Sequence, residues 1–364
     1  MEHVIKAAVA RGASDLHVKA GDVFRARIDG EFQPLTKRRL TPEQTKAIAM
    51  RLMPNEADRE RIDSIRDFDC SWGAPGIGRF RVNILRQRSS FMIVMRAIPF
   101  DVPTVEKLGL PPIVSKIAEA ERGLVVVTGP AGNGKSSTIA AMISQINATS
   151  NKHIVTLENP IEFLHRDVQS SVTQREVGVD TDGLAVGVRA ALRQDADVIF
   201  VSELLDHDVV NAAMQAAEMG SLVISSMHTG DATSTISRIV SMFPPEEQEL
   251  TRLRLADNLH AVVFQRLLPR ADGEGRVPVV EVVVCTPEIR AVVKDRTRAG
   301  ELQGLIEAGS EEHGMQSLDQ HLRKLVEANV IAQETAVATA RDPSVFEPPR
   351  KSRRTTKKKT TKST

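Results

Sequence analysis

Three observations predict an α/β protein with a smaller α+β domain ahead of it. From about residue 113, short apolar runs alternate with helical stretches, the pattern of a parallel sheet covered on both faces. One of those runs, Leu124–Thr128, is continuous and rich in β-branched residues, and it feeds a glycine-rich turn that opens a helix. Before residue 98 the pattern differs, with alternating segments and a two-residue hairpin signal. A chain of 364 residues is also too long for one small core.

The first domain is expected over residues 1–98. Met1 to Ala10 reads as a short helix, and alternation begins at Asp15-Leu16-His17-Val18. Phe24–Ile28 runs into Asp29-Gly30, the hairpin dipeptide, and continues as Glu31-Phe32. Thr41-Pro42-Glu43-Gln44 is a helix start, with Thr41 as N-cap and Pro42 in the first turn. Further strands are expected at Arg79–Ile84 and Phe91–Arg96. Pro99, Pro103 and Pro111-Pro112 then punctuate a linker, 99–112, that cannot hold regular structure.

The second domain is expected over 113–343. Its core strands are Leu124–Thr128, Ile154–Leu157, Val198–Val201, Leu222–Ser226 and Val277–Cys285. Helical periodicity returns at Leu318–Ala328 and fades before Pro343. In the tail, 344–364, the run from Arg350 to Lys362 is basic and has no apolar residue to bury, so disorder is expected. It reads as a solvated extension, with contact to acidic lipid or another polyanion as the alternative.

Composition excludes several functional classes. The 48 basic and 47 acidic side chains nearly cancel, so no global field points to nucleic acid or membrane as the main partner. One Trp and no Tyr leave little for base stacking. Cys70 and Cys285 are far apart and lack metal-ligand neighbours, so they read as reduced thiols of a cytosolic protein. No apolar stretch approaches the ~18 residues of a membrane span, and the N-terminus is no signal peptide.

The turn after Thr128 reads Gly129-Pro130-Ala131-Gly132-Asn133-Gly134-Lys135-Ser136. Between a strand and a helix, such a loop aims successive backbone N–H groups and a helix N-terminus at one point, where phosphate oxygens can sit. Gly129, Gly132, Gly134, Lys135, Ser136 and Ser137 are the expected phosphate-binding residues. Lys135 would meet the β/γ-phosphates, and the Ser136 hydroxyl would ligate Mg²⁺. A nucleoside triphosphate is the ligand that this pattern implies.

Open sheets bind ligands beyond the carboxyl ends of their strands. Glu158-Asn159-Pro160-Ile161-Glu162 follows one strand, and its carboxylates could orient or deprotonate a water. Ser202-Glu203 follows the next, where an acid can support Mg²⁺. Met227-His228-Thr229 follows another and could sense the γ-phosphate. Each is weak alone, since acids in loops and isolated histidines usually have structural roles. Their order after one phosphate loop, on one rim, is what carries weight.

With these motifs in place, the chain resembles the secretion-type motor ATPases, specifically the retraction ATPases of type IV pili. The resemblance runs from Ser14-Asp15-Leu16-His17 to about residue 340. Glu158–Phe163 is similar to the family's aspartate box, Val198–Asp206 to its Walker B segment and Ser226–Thr229 to its histidine box. Gln174-Arg175-Glu176-Val177-Gly178 and Gly314–Asp319 are further signatures, and Pro287–Asp295 resembles the motif of retraction motors. The resemblance implies a PAS-like first domain, a RecA-like P-loop ATPase domain and a homo-hexameric ring, with ATP and Mg²⁺ between the domains. It makes Glu162 the general base, Glu203 the Walker B acid that supports the metal with Ser136, and His228 the coupling residue. Arg79 and Arg81 match arginines placed near the phosphates. It implies a cytoplasmic protein held peripherally at the inner membrane by a pilus platform protein, with other pilus motor ATPases as further partners, no direct nucleic acid and no transmembrane segment.

The sequence departs from the family pattern at Asn159, where Asp is usual, at Leu205, where Arg is usual, and at Glu288, where Ala is usual. Asn159 and Leu205 motivate an alternative, a weakly or non-hydrolysing paralogue that regulates an active motor. An assembly or secretion ATPase is a second alternative, against which stands the lack of a four-cysteine motif in a chain with 2 cysteines. A nucleic-acid motor on the same core has only the basic tail in its favour.

Overall fold

The structure, a computed structural model, describes residues 1–28, 30–98 and 101–346. Asp29 of the hairpin signal, Pro99 of the linker and the basic run from Arg350 therefore lie outside the described residues.

The N-terminal sheet is built from β1 (Ala13–Lys19), β2 (Arg25–Ile28), β3 (Glu31–Pro34), β4 (Asp67–Ala74), β5 (Gly78–Gln87) and β6 (Ser90–Ile98). Its order is β3-β2-β1-β6-β5-β4, with every neighbour antiparallel. Alternation gives the sheet two unlike faces. Phe80, Val82 and Ile84 of β5, with Phe91, Ile93 and Met95 of β6, point into a core closed by helices Glu2–Ala10 and Pro42–Leu52. The opposite face of β5 carries Arg79 and Arg81 between those apolar positions. Thr41 caps the helix Pro42–Leu52 as expected, in a reciprocal capping box with Gln44. β4 was not expected, although Phe68, Cys70, Trp72 and Ala74 alternate along this edge strand and pack half-buried against the core; its one fully buried residue is Ser71.

The described part of the linker, 101–112, forms turns but no helix or strand. The second sheet contains β7 (Gly123–Thr128), β8 (His153–Glu158), β9 (Ser171–Glu176), β10 (Val198–Val201), β11 (Leu222–Met227), β12 (Leu259–Pro269) and β13 (Arg276–Val284). Its order is β13-β12-β7-β11-β10-β8-β9. β7 is buried at every residue, because one apolar cluster covers each face of the sheet. The sheet is mixed and not wholly parallel: β13 returns antiparallel on β12 after a short turn, which only an antiparallel pair allows. The strand expected at Val277–Cys285 is therefore a hairpin partner. β9 and β12 were not expected. β9 (Ser-Val-Thr-Gln-Arg-Glu) is too polar to read as a core strand, and β12 continues directly from helix Gln248–Asn258 without a turn signal.

Removing the cap with Thr41→Ala should cost about 1 kcal/mol. It would be read as a lowered denaturation midpoint, and an unchanged midpoint would show that the capping box contributes nothing.

Candidate functional site

The glycine loop is pressed against β12. Gly129 has φ +143°, and a Cβ there would lie 2.2 Å from the Gln265 carbonyl oxygen. At Gly134, φ is +81° and a Cβ would meet Gln265 Nε2 at 2.9 Å. Both positions require glycine, for backbone conformation and for space. Gln265 is buried and holds the loop from behind: its Nε2 donates to Asn133 O (2.8 Å), and its Oε1 accepts from Thr138 Oγ1 (2.7 Å). Asn133 Oδ1 in turn accepts from the Leu267 N–H (2.8 Å). Sequence reasoning missed Gln265 because no strand was expected there. Gly132, at φ +73°, faces open space.

Lys135 begins the helix Lys135–Thr149, and its side chain folds over the loop. The ammonium donates to Gly129 O (2.8 Å), Pro130 O (3.1 Å) and His228 Nδ1 (3.1 Å). An accepting Nδ1 leaves the proton on Nε2, which faces Glu203 Oε1 at 3.3 Å. Lys135, His228 and Glu203 thus form one polar chain across the rim. Burial pulls the Lys135 ammonium below its ordinary range, and the nearby Glu203 and Glu162 carboxylates oppose that shift. The strand ends are tied sideways as well: Thr229 N donates to Thr128 Oγ1 (3.1 Å), and Ser226 Oγ donates to Ser202 O (2.7 Å).

The two carboxylates after β8 have separate environments. Glu158 is buried and accepts from Thr156 Oγ1 (2.7 Å) and Gln174 Nε2 (3.0 Å). Burial raises its pKa, against the hydrogen bonds that lower it. Glu162 lies past a cis Asn159–Pro160 bond and is exposed at the cleft wall. Of the two, only Glu162 is exposed to solvent as well as to the cleft. Asp206 is accounted for structurally, since it caps the helix His207–Glu218 by accepting from Val209 N (3.0 Å).

These groups line a cleft of about 710 Å³ between the two sheets. It brings together Gly132, Gly134, Lys135, Ser136, Ser137, Glu162, Glu203 and His228 with Arg81 from β5. Gly129 contributes through its carbonyl, bonded to Lys135. Arg96 also lines the cleft; it was missed, although it stands directly opposite Arg81 in the β5–β6 register. It is paired with Asp15 at 2.8 Å. Arg79 does not line the cleft in this structure, contrary to its expected place beside the phosphates. Its Nη2 is held by Glu176 Oε2 (2.9 Å) and Ser71 Oγ (3.2 Å), so the carboxylate closing β9 has captured it. The helix Pro287–Lys294 is also absent from the cleft lining; it buries Ile289, Val292 and Val293 and exposes Glu288, Arg290 and Lys294.

The donor set fits a metal-bound nucleotide better than a resident ion. Among the described residues no group of three His, Cys, Asp or Glu could hold a metal by itself. The Ser136 hydroxyl, with no side-chain hydrogen bond among the described residues, and the Glu203 carboxylate are oxygen ligands of the kind Mg²⁺ takes alongside phosphates.

Residues 1–337 match the model of the family described as type II/IV secretion system protein. The chain belongs to that family. It is 39% identical over 336 residues to the type IV pilus retractation ATPase PilT of Pseudomonas aeruginosa, covering 92% of this chain and 96% of the relative. It is 38% identical to the type IV pilus ATPase PilU of the same organism, covering 93% and 88%. A crystal structure of the pilus retraction motor PilT with bound ADP matches with a TM-score of 0.84 at 41% identity, over 95% of this chain and 98% of that one. The expected family and the two-part architecture with a RecA-like sheet are borne out.

Gly129→Ala should abolish binding of a fluorescent ATP analogue, because the new Cβ overlaps a backbone carbonyl that cannot move without displacing β12. Gly132→Ala, in open space, should lower affinity by about tenfold or less, the strain of its φ being on the order of 1 kcal/mol. Equal affinities in the two variants would contradict this account of the loop.

Proposed function

We propose that the chain binds and hydrolyses Mg-ATP as a hexameric motor that powers type IV pilus retraction, and hence twitching motility. The observation that carries the reading is the cleft itself: a glycine loop, two acids and a histidine from one sheet face an arginine pair from the other. Family membership and the similarity to PilT support it.

In this reading, Gly129 to Ser137 cradle the phosphates and Lys135 exchanges its loop carbonyls for phosphate oxygens. Ser136 and Glu203 hold Mg²⁺, which neutralises phosphate charge when bound. Glu162 takes a proton from the attacking water. His228, which bridges Lys135 and Glu203 here, loses that bridge when a phosphate arrives and so reports occupancy. Arg81 and Arg96 stand opposite each other on the strand pair, Arg96 held by Asp15, and present their charge to the cleft together. Their charge stabilises the transition state only when the two sheets close on the nucleotide. That condition links hydrolysis to movement, the requirement for a motor.

The domains we propose are 1–98, a linker 99–112 and the ATPase domain 113–343. A ring of this kind would act in the cytoplasm, peripheral to the inner membrane, gripping a pilus platform protein there and in concert with other pilus motor ATPases. No helix among the described residues is long and apolar enough to cross a membrane. A second reading, a regulatory subunit with little turnover, is motivated by Asn159 and Leu205, both exposed.

ATP turnover by the wild type beside Glu162→Gln, with particle size measured in the same samples, tests both. The expected result is hexameric particles in both samples and at least a hundredfold lower kcat in the variant, the scale of a lost general base. Turnover equal in the two would remove Glu162 from its role. A wild type that binds ATP without releasing phosphate would favour the regulatory reading.

A further inference from the structure

Glu176 closes β9 with its side chain only 4% exposed, and the phosphate chemistry described above makes no use of it. Its position in the register is opposite Glu158, at the carboxyl end of β8. From there its carboxylate touches three segments. Oε1 accepts from Ser71 Oγ of β4. Oε2 accepts from Arg79 Nη2 of β5 (2.9 Å) and also from the backbone N–H of Ile161 (3.2 Å). Arg79 and Ser71 are bonded to each other as well (3.2 Å). The backbone of Glu176 is anchored by Asp180, whose Oδ2 accepts the Glu176 N–H (2.9 Å) and whose own N–H donates to Glu176 O (2.8 Å).

One oxygen atom thus serves two masters: an arginine of the first sheet and the backbone of the residue before Glu162. A shift of Arg79 alters the charge and position of the acceptor that fixes Ile161, and Glu162 is the next residue along the chain. Arg79 also shares its β5 face with Arg81, two residues away, which lines the cleft. The position of the first sheet is therefore reported at both walls of the cleft, directly through Arg81 and indirectly through Glu176.

We propose that Glu176 is a positioning residue that couples the placement of the N-terminal sheet, through Arg79 and Ser71, to the loop presenting Glu162. The proposal rests on the reading of Glu162 as general base. It differs from a merely stabilising buried ion pair, whose loss would lower stability without reaching the loop.

The experiment compares Arg79→Leu, Ser71→Ala and Glu176→Gln with the wild type. Amide hydrogen exchange at Ile161 is measured without nucleotide, together with kcat, KM and the melting midpoint. Neither Arg79 nor Ser71 has a hydrogen bond to residues 159–162, so Glu176 is the hydrogen-bonded link between them and that loop. The expected result is exchange at Ile161 at least tenfold faster in Arg79→Leu and Glu176→Gln. Their kcat should fall about tenfold with KM within threefold of wild type, and a variant carrying both Arg79→Leu and Glu176→Gln should be no worse than either single one. Ser71→Ala, which removes one hydroxyl and cannot reach a phosphate, should shift exchange in the same direction, and it serves if Arg79→Leu does not fold. Wild-type exchange at Ile161 in the Arg79 or Ser71 variant, with only the melting midpoint lowered, overturns the proposal. If the wild type itself lacks turnover, the proposed function fails while the exchange measurement still decides the coupling.

Discussion

Much of the site follows from one close approach, that of the glycine loop to the backbone of β12. Gly129 stands where any side chain would collide with the Gln265 carbonyl. A loop this close to a strand cannot drift, and the amide hydrogens that line it stay convergent without a ligand to organise them. Gln265 and Asn133 complete the attachment with side-chain hydrogen bonds between loop and strand. Phosphate recognition is in this sense prepaid during folding, by the same contacts that set β12 beside β7.

Parts of this were open to reading in the sequence and parts were not. The loop was legible because glycine spacing carries its own conformational meaning, and the rim acids because they follow unmistakably apolar strands. Arg81 could be placed on a face by simple alternation with Phe80 and Val82. Arg96 could not be paired with it, since register across a hairpin depends on the length and geometry of the turn. Gln265 was invisible for a related reason: its strand follows a helix with no punctuation between them. Arg79 illustrates the deepest limit. It shares its face with Arg81, but its destination depends on a carboxylate 97 residues later in the chain. Similarity of motif put both arginines beside the phosphates; packing separates them.

The two carboxylates of the loop after β8 show the same division of labour between sequence and environment. Both are glutamates, four positions apart, and nothing in their identity distinguishes them. Burial and the hydroxyl of Thr156 make one a structural acceptor, while the other stands in solvent at the cleft wall. Asp206 likewise serves the helix that follows it, despite lying in a segment that reads as part of the nucleotide machinery.

The two kinds of cation around the cleft differ in one further respect. Arg81 and Arg96 are exposed, whereas the Lys135 side chain is buried. Mobile ions screen charges in contact with solvent over a Debye length of about 8 Å at physiological strength, and reach buried ones far less. Rising salt should therefore erode the long-range attraction of an incoming polyanion well before it loosens the seat that receives it. Capture and retention are governed by different surroundings, so the rate of loading can respond to the ionic medium while the residence of what is loaded does not.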